Sequence, residues 1–286
     1  LSVIALLILF VVCAYTMKWT KITNITDGIK DQIIGKKEEK KKETSEEKIR
    51  VATTIKAVES LIKAVAKDKV EIQKVVPDGT EIHEFEPKAQ DILKLSNANL
   101  FIYNGDELET WADKAVESVK NKNLKVVELT KGLDKLDVKE NDILDDDKDH
   151  DHDHEEIEYD EHVWLSLKRA QKIVKAIADE LVELDPTNAK KYQANAEAYI
   201  AKLAALDKSY QSTVSTVENK TWIFADRMPF HYLAKDYGIT TYAAFNGCST
   251  ETNASFATIV SLAKYADELG IKHIMTIEGS DKKLAK

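Results

Sequence analysis

Cysteine is nearly missing from this chain: Cys13 and Cys248 are the two it has in 286 residues. Cys13 lies inside an apolar run, so the pair does not read as a disulfide framework, and no cysteine-built zinc cage can form. An excess of positive charge is missing as well. Lys and Arg number 41 against 50 Asp and Glu, for a net charge of −9, and the Lys-rich stretch near the start is balanced by Glu. That leaves no basic footprint for a phosphate backbone and sets nucleic acid aside as a partner. HExxH, the helical pattern that puts two imidazoles and a general base on one face, does not occur.

Histidine is present but unevenly spread. Five of the seven histidines fall between residues 81 and 164: His83 in EIHEFEP, His162 in YDEHVWL, and His150, His152 and His154 in the run DHDHDHEE between them. Neutral imidazole suits zinc, copper, nickel and iron, and carboxylate suits harder ions, so a segment offering both points to the handling of a transition metal. A lone loop histidine is by itself more often a surface side chain, and an acid-rich run more often a solvated loop. Alternation of His with Asp is unusual for a loop that only stays in water.

Residues 1–17, LSVIALLILFVVCAYTM, are nearly all apolar before Lys18 and Lys21. As a helix they would span about 26 Å, slightly short of the ~30 Å hydrocarbon core, which fits a signal-peptide core or a short membrane anchor. The expected location is extracytoplasmic, anchored to the cell membrane or periplasmic. With no initiating Met and no positive segment in front, the sequence reads as starting a few residues inside the natural one. Cys13 stands where a bacterial lipoprotein carries its lipid, although Val12 is larger than the small residue that normally precedes such a cysteine. Residues 36–48 carry no apolar side chain and read as part of a solvated spacer.

From Arg50 onward, short β-branched runs alternate with helical patterns, the mark of βαβ units and parallel sheets. Strands are expected at IRVATT, VEIQKVV, NLFIYN and LKVVEL, with helices at 55–66, 87–96 and 108–119 between them. A helix over 163–184 is stopped by Asp185 and Pro186. A second, over 188–214, would be ~40 Å long, enough to brace two lobes. Strands at TWIFAD, TTYAAF and KHIMTIE alternate with helices at 230–236 and 255–269. The expected organisation is a signal or anchor segment (1–20), a polar linker (21–48), a first α/β lobe (49–187) with a His/Asp-rich loop (142–161), a connecting helix (188–214) and a second α/β lobe (215–286). With three strands, that second lobe reads as truncated.

PDGTEIHEFEPKAQDI, NLFIYNGDELETW, the His-rich acidic insertion, YDEHVWLSLKRA and NKTWIFAD…YLAKDYG occur in an order that resembles the bacterial solute-binding proteins that capture zinc or manganese for ABC importers. The likeness covers roughly residues 48–284. It implies an α/β fold of two parallel-sheet lobes flanked by helices and joined by one long helix, with the metal in the cleft between them, and a membrane permease as partner. It also implies His83 and His162 as the first two ligands. The third ligand position falls on Asp226 counting forward from Asn219, and on Arg227 counting back from YLAKDYG; Arg cannot ligate a cation, so Asp226 is taken. The fourth falls near IEGSD, on Asp281 or Glu278, and His231 in PFHYL lies within reach as a substitute for either.

Asp226 has a plainer reading as a helix N-cap. His273 reads as a strand residue, Cys248 as packed or capping, Trp111 and Trp222 as core, and Trp164 as a wall shielding the site. The three loop imidazoles favour Zn2+ over Mn2+ as auxiliary collectors, whereas the carboxylate at 226 favours Mn2+. The expectation is therefore a zinc receptor without enzymatic activity. A manganese receptor, a zinc hydrolase or lyase using Glu84 or Glu278 as base, and a surface adhesin on the same fold are the alternatives.

Overall fold

The computed structural model describes residues 48–137, 159–245, 254–277 and 282–285. The apolar run at 1–17, the loop histidines His150, His152 and His154, and Cys248, Glu278 and Asp281 lie outside them. Ile49–Lys286 forms one compact unit. Among the described residues no helix is long and apolar enough to cross a membrane.

Four parallel strands form the first sheet, in the order β2-β1-β3-β4: β1 (Ile49–Thr53), β2 (Val70–Lys74), β3 (Leu100–Tyr103) and β4 (Lys125–Glu128). Helices α1 (Lys56–Ala66), α2 (Ala89–Asn97) and α3 (Ala112–Ser118) make the crossovers. α1 forms because Val58, Leu61, Ile62, Val65 and Ala66 recur at helical spacing and are all buried. β3, LFIY, is buried along its whole length, as expected of a strand covered on both faces. One core packs α1 against β1, β3 and the helix α4 (Leu167–Leu184), whose Ile173, Val174, Ile177 and Leu181 face inward. On the other face Phe101, Tyr103 and Trp111 pack with α2 and α3.

α4 starts later than its periodicity predicts. Val163–Leu165 is a turn of 3-10 helix, and Ser166 caps α4 by accepting from Arg169 N at 3.1 Å. A serine at this point competes with the helix for its own backbone donors and wins the N-cap. The helix α5 (Ala189–Ser215) runs for 27 residues, ~40 Å. Tyr192, Ala196, Tyr199, Ile200 and Leu203 pack on the first core, whereas Val214 belongs to a cluster around the second sheet.

That second sheet pairs β5 (Thr221–Arg227) with β6 (Thr240–Phe245) in parallel, and α6 (His231–Tyr237) and α7 (Phe256–Glu268) flank them. α6 ends at Gly238, whose φ of +66° is the left-handed cap that glycine adopts without cost. In the described part of the expected strand KHIMTIE, residues 272–277, the pairing is a single bridge between Met275 and Phe224. Met275 N donates to Ile223 O and its carbonyl accepts from Ala225 N, but Ile277 N turns to the side chain of Asp226 at 3.2 Å. A carboxylate has replaced the next backbone acceptor, so regular pairing stops there. His273 is exposed beside it, Trp111 is buried, and Trp222 packs at the edge of the second core.

Candidate metal centre

The site is assembled at the carboxyl ends of the first sheet, where the chain leaves β1 and β3 to opposite sides and an open α/β sheet has its crevice. β2 runs into a Pro-Asp-Gly turn, with Gly79 at φ +79°, and then into the segment carrying His83. Ile82 and Phe85 anchor that segment in the core, and Phe85 meets Trp111 edge-on at 5.4 Å. The loop is exposed, yet the His83 side chain keeps 25% of its exposure.

Opposite it lies Asp160-Glu161-His162. Asp137 and Tyr159 pair in an antiparallel bridge, Asp160 N donates to Leu136 O at 2.8 Å, and Asn104, just past β3, donates from Nδ2 to Glu161 O at 2.9 Å. Asn104 is held in turn by Glu109, a fully buried carboxylate that accepts from Asn104 N, Gly105 N and Thr54 Oγ1. Gly105 is obligatory in this brace, because a Cβ there would run into Thr130 Oγ1. Burial pushes the Glu109 carboxyl up to about 7, and its hydrogen bonds only partly offset that rise.

Glu161 Oε1 approaches His83 Nε2 at 3.4 Å and His162 Nδ1 at 3.9 Å. The oxygen is buried and has no hydrogen-bond partner among the described residues. Asp160, Glu161 and His162, all buried, offer ligand atoms within 4.8 Å of one another. Trp164 tilts against the His162 ring at 5.3 Å and walls that side. Burial alone would raise the Asp160 carboxyl, but hydrogen bonds from His162 and His231 outweigh it and hold the group well below the usual carboxylate range. For His162, burial works against a charged ring, whereas the hydrogen bond to Asp160 and the charge of Glu161 prevail and raise its pKa.

His231, the first residue of α6, reaches this cluster from the second half: its Nδ1 lies 2.7 Å from Asp160 Oδ2. Asp226 is buried at the end of β5, with its oxygens taken by Arg227 N at 2.8 Å and Ile277 N at 3.2 Å. Thus His83 and His162 are brought together around Glu161, His231 joins them through Asp160, and Asp226 is engaged by backbone. Sequence reasoning missed Asp160 and Glu161. The available signal was two carboxylates directly before a candidate ligand, easily discounted in so acidic a neighbourhood.

Two parallel α/β sheets bridged by one long helix, with imidazoles and carboxylates gathered at strand ends, make a two-part α/β architecture with a candidate cation site. The family described as ZnuA, zinc-uptake complex component A, periplasmic, matches residues 51–286, and the chain belongs to it. The high-affinity zinc uptake system protein ZnuA of Bacillus subtilis (strain 168) is 37% identical over 239 residues, which is 84% of this chain and 74% of that protein. The zinc-binding lipoprotein AdcA of Streptococcus pneumoniae is 33% identical over 83% of this chain, which spans 47% of AdcA, about half its length. The crystal structure of the Zn(II)-bound ZnuA-like domain of that AdcA superposes with a TM-score of 0.67 at 32% identity, over 83% of this chain and 82% of that one.

Proposed function

We propose that this protein is an extracytoplasmic receptor that captures Zn2+ and presents it to the membrane permease of an ABC importer, with no bond made or broken. The observation that carries the reading is the Glu161 carboxylate. A buried oxygen without a donor is costly unless a cation or proton meets it, and this one, with no donor among the described residues, lies between the imidazoles of His83 and His162. Nitrogen and carboxylate donors together are the set a tetrahedral zinc site uses. The carboxylates also suit Mn2+, the second-ranked cation, but an imidazole-rich set favours zinc.

The zinc ligands in this reading are His83, His162 and Glu161, completed from the second half of the chain. Asp226 serves there by tying β5 to the segment at Ile277, and Glu278 and Asp281 follow that segment directly in sequence as candidates for a further oxygen ligand. His150, His152 and His154 act as auxiliary collectors, and the segment at 1–20 tethers the protein to the membrane.

The test is zinc affinity of the whole chain measured with Mn2+ in competition. His83→Ala and His162→Ala should each weaken zinc binding by more than the roughly 10- to 100-fold that loss of an outer hydrogen-bond partner costs. Deleting 145–156 should lower the stoichiometry and spare the tight site. Loss of tight binding from that deletion alone would overturn the assignment, as would a preference for Mn2+ over Zn2+.

A further inference from the structure

The stem that leads into Glu161 and His162 has an irregular ladder. Asp137 and Tyr159 pair in an antiparallel bridge, so Leu136 stands opposite Asp160, and Asp160 N donates to Leu136 O at 2.8 Å. A facing pair of this kind ordinarily exchanges both N–H···O bonds. Here the return bond runs through a side chain from the second half. Leu136 N donates to the Tyr232 hydroxyl at 3.1 Å, and that hydroxyl donates to Asp160 O at 2.7 Å. A backbone amide has a single hydrogen, so at this point the two segments are joined through an inserted phenol oxygen.

The phenol is firmly placed. Tyr232 is fully buried, its ring packs in the first core, and the Arg169 guanidinium lies 4.6 Å from the ring centre. Arg169 in turn donates from Nε to Asp134 O at 3.1 Å and pairs with Asp236 at 3.4 Å. Burial pushes the Tyr232 hydroxyl up to about 12, so it keeps its proton and stays a donor at physiological pH.

The consequence falls on Glu161. A peptide unit is planar, so holding its carbonyl restrains the whole plane, and the two planes that flank a residue define its φ and ψ. The plane before Glu161 is held by Tyr232 at Asp160 O. The plane after it is held by Asn104 Nδ2 at Glu161 O, 2.9 Å away, and by His162 N on Asp160 Oδ1 at 2.7 Å. That backbone aims Glu161 Oε1, the buried oxygen 3.4 Å from His83 Nε2. We propose that the Tyr232 hydroxyl is a positioning group for Glu161, inserted in the ladder between Leu136 and Asp160 so that the carboxylate faces His83. In this role it supplies no ligand atom. The proposal deepens the zinc-receptor reading and rests on it.

Measurements on the whole chain test it. In the metal-free protein the Tyr232 hydroxyl proton should exchange slowly enough to give a proton resonance at low temperature, with cross-relaxation to the Leu136 amide; its absence overturns the insertion. Tyr232→Phe keeps the ring and removes both hydrogen bonds. The Glu161 and His162 amide resonances of the metal-free variant should shift, and zinc affinity should fall about tenfold, the lower end of what an outer hydrogen-bond partner contributes. Unchanged resonances or unchanged affinity overturn the positioning role. Ile177→Ala separates aiming from mere stability, because it loosens the same core without touching the ladder. Folded Ile177→Ala should bind zinc as the wild type does, and a loss equal to that of Tyr232→Phe overturns aiming by the hydroxyl. If Tyr232→Phe binds normally while His83→Ala does not, only this proposal fails; if His83→Ala also binds normally, the receptor reading fails with it.

Discussion

The first half of the molecule backs its candidate site with a chain of buried hydrogen bonds, whereas the second half reaches the site through one helix end. Around His83, Glu161 and His162 that chain runs from Thr54 to Glu109, on to Asn104 and then to the Glu161 carbonyl, all at the ends of a four-stranded sheet with cores on both faces. Among its described residues the second half has two strands, one further bridge, and smaller clusters around Phe224, Met228 and Tyr237 and around Ile223 and Leu262. Among the described residues, its hold on the first half is the seam of His231, Tyr232 and Asp236, with the Tyr232 ring buried in the first core, together with the long helix. Shape is stored where burial is greatest. Adjustment is left to a seam of hydrogen bonds, each contributing on the order of 1 kcal/mol net.

The contrast can be broken most severely in the first core. Ile177 of α4, fully buried in the first core, should cost about 2–5 kcal/mol when cut to alanine, read from the denaturant midpoint, because the packed surroundings cannot collapse into the hole. A loss well under 1 kcal/mol would mean that this core is not the rigid partner.

The brace under the site gives the next effect, with a sign set by pH. The Glu109 carboxyl is raised from 4.5 to about 7 in the folded protein, so the stability it contributes is fully present below pH 4.5 and is lost as pH rises through about 7. Between those limits the wild type should lose on the order of 3 kcal/mol relative to Glu109→Gln, which has no proton to release there. Parallel pH profiles for the two proteins would refute this. Asn104→Ala is expected to be milder. It leaves the Glu161 carbonyl without its donor, costing about 1–3 kcal/mol, and should weaken zinc binding without changing the number of coordinating imidazoles.

Most of the architecture was legible in the residues. VEIQK, LFIY and KVVE are short and β-branched or aromatic, and they are separated by amphipathic helices, so their alternation dictates parallel pairing. The long helix followed from an unbroken stretch rich in Ala, Lys, Glu and Gln between Pro186 and the next strand. KHIMTIE misled because its composition suits a strand, while the acceptor that Ile277 meets is the side chain of Asp226, a choice made 51 residues away. His83 and His162 could be named from their motifs. Glu161 could not, since one carboxylate among many acquires meaning only when its solvent is removed.

Local order was therefore written in the chain itself: periodicity and capping are properties of neighbours, and they specify strands, helices and the kind of side chains on offer. Which of those side chains meet was decided by the fold. Asp160 and His231 stand 71 residues apart, and their 2.7 Å contact exists because α6 docks against the segment before α4. Long-range partners are chosen by packing and by the cost of leaving a buried charge alone, and neither is visible until the chain has closed on itself.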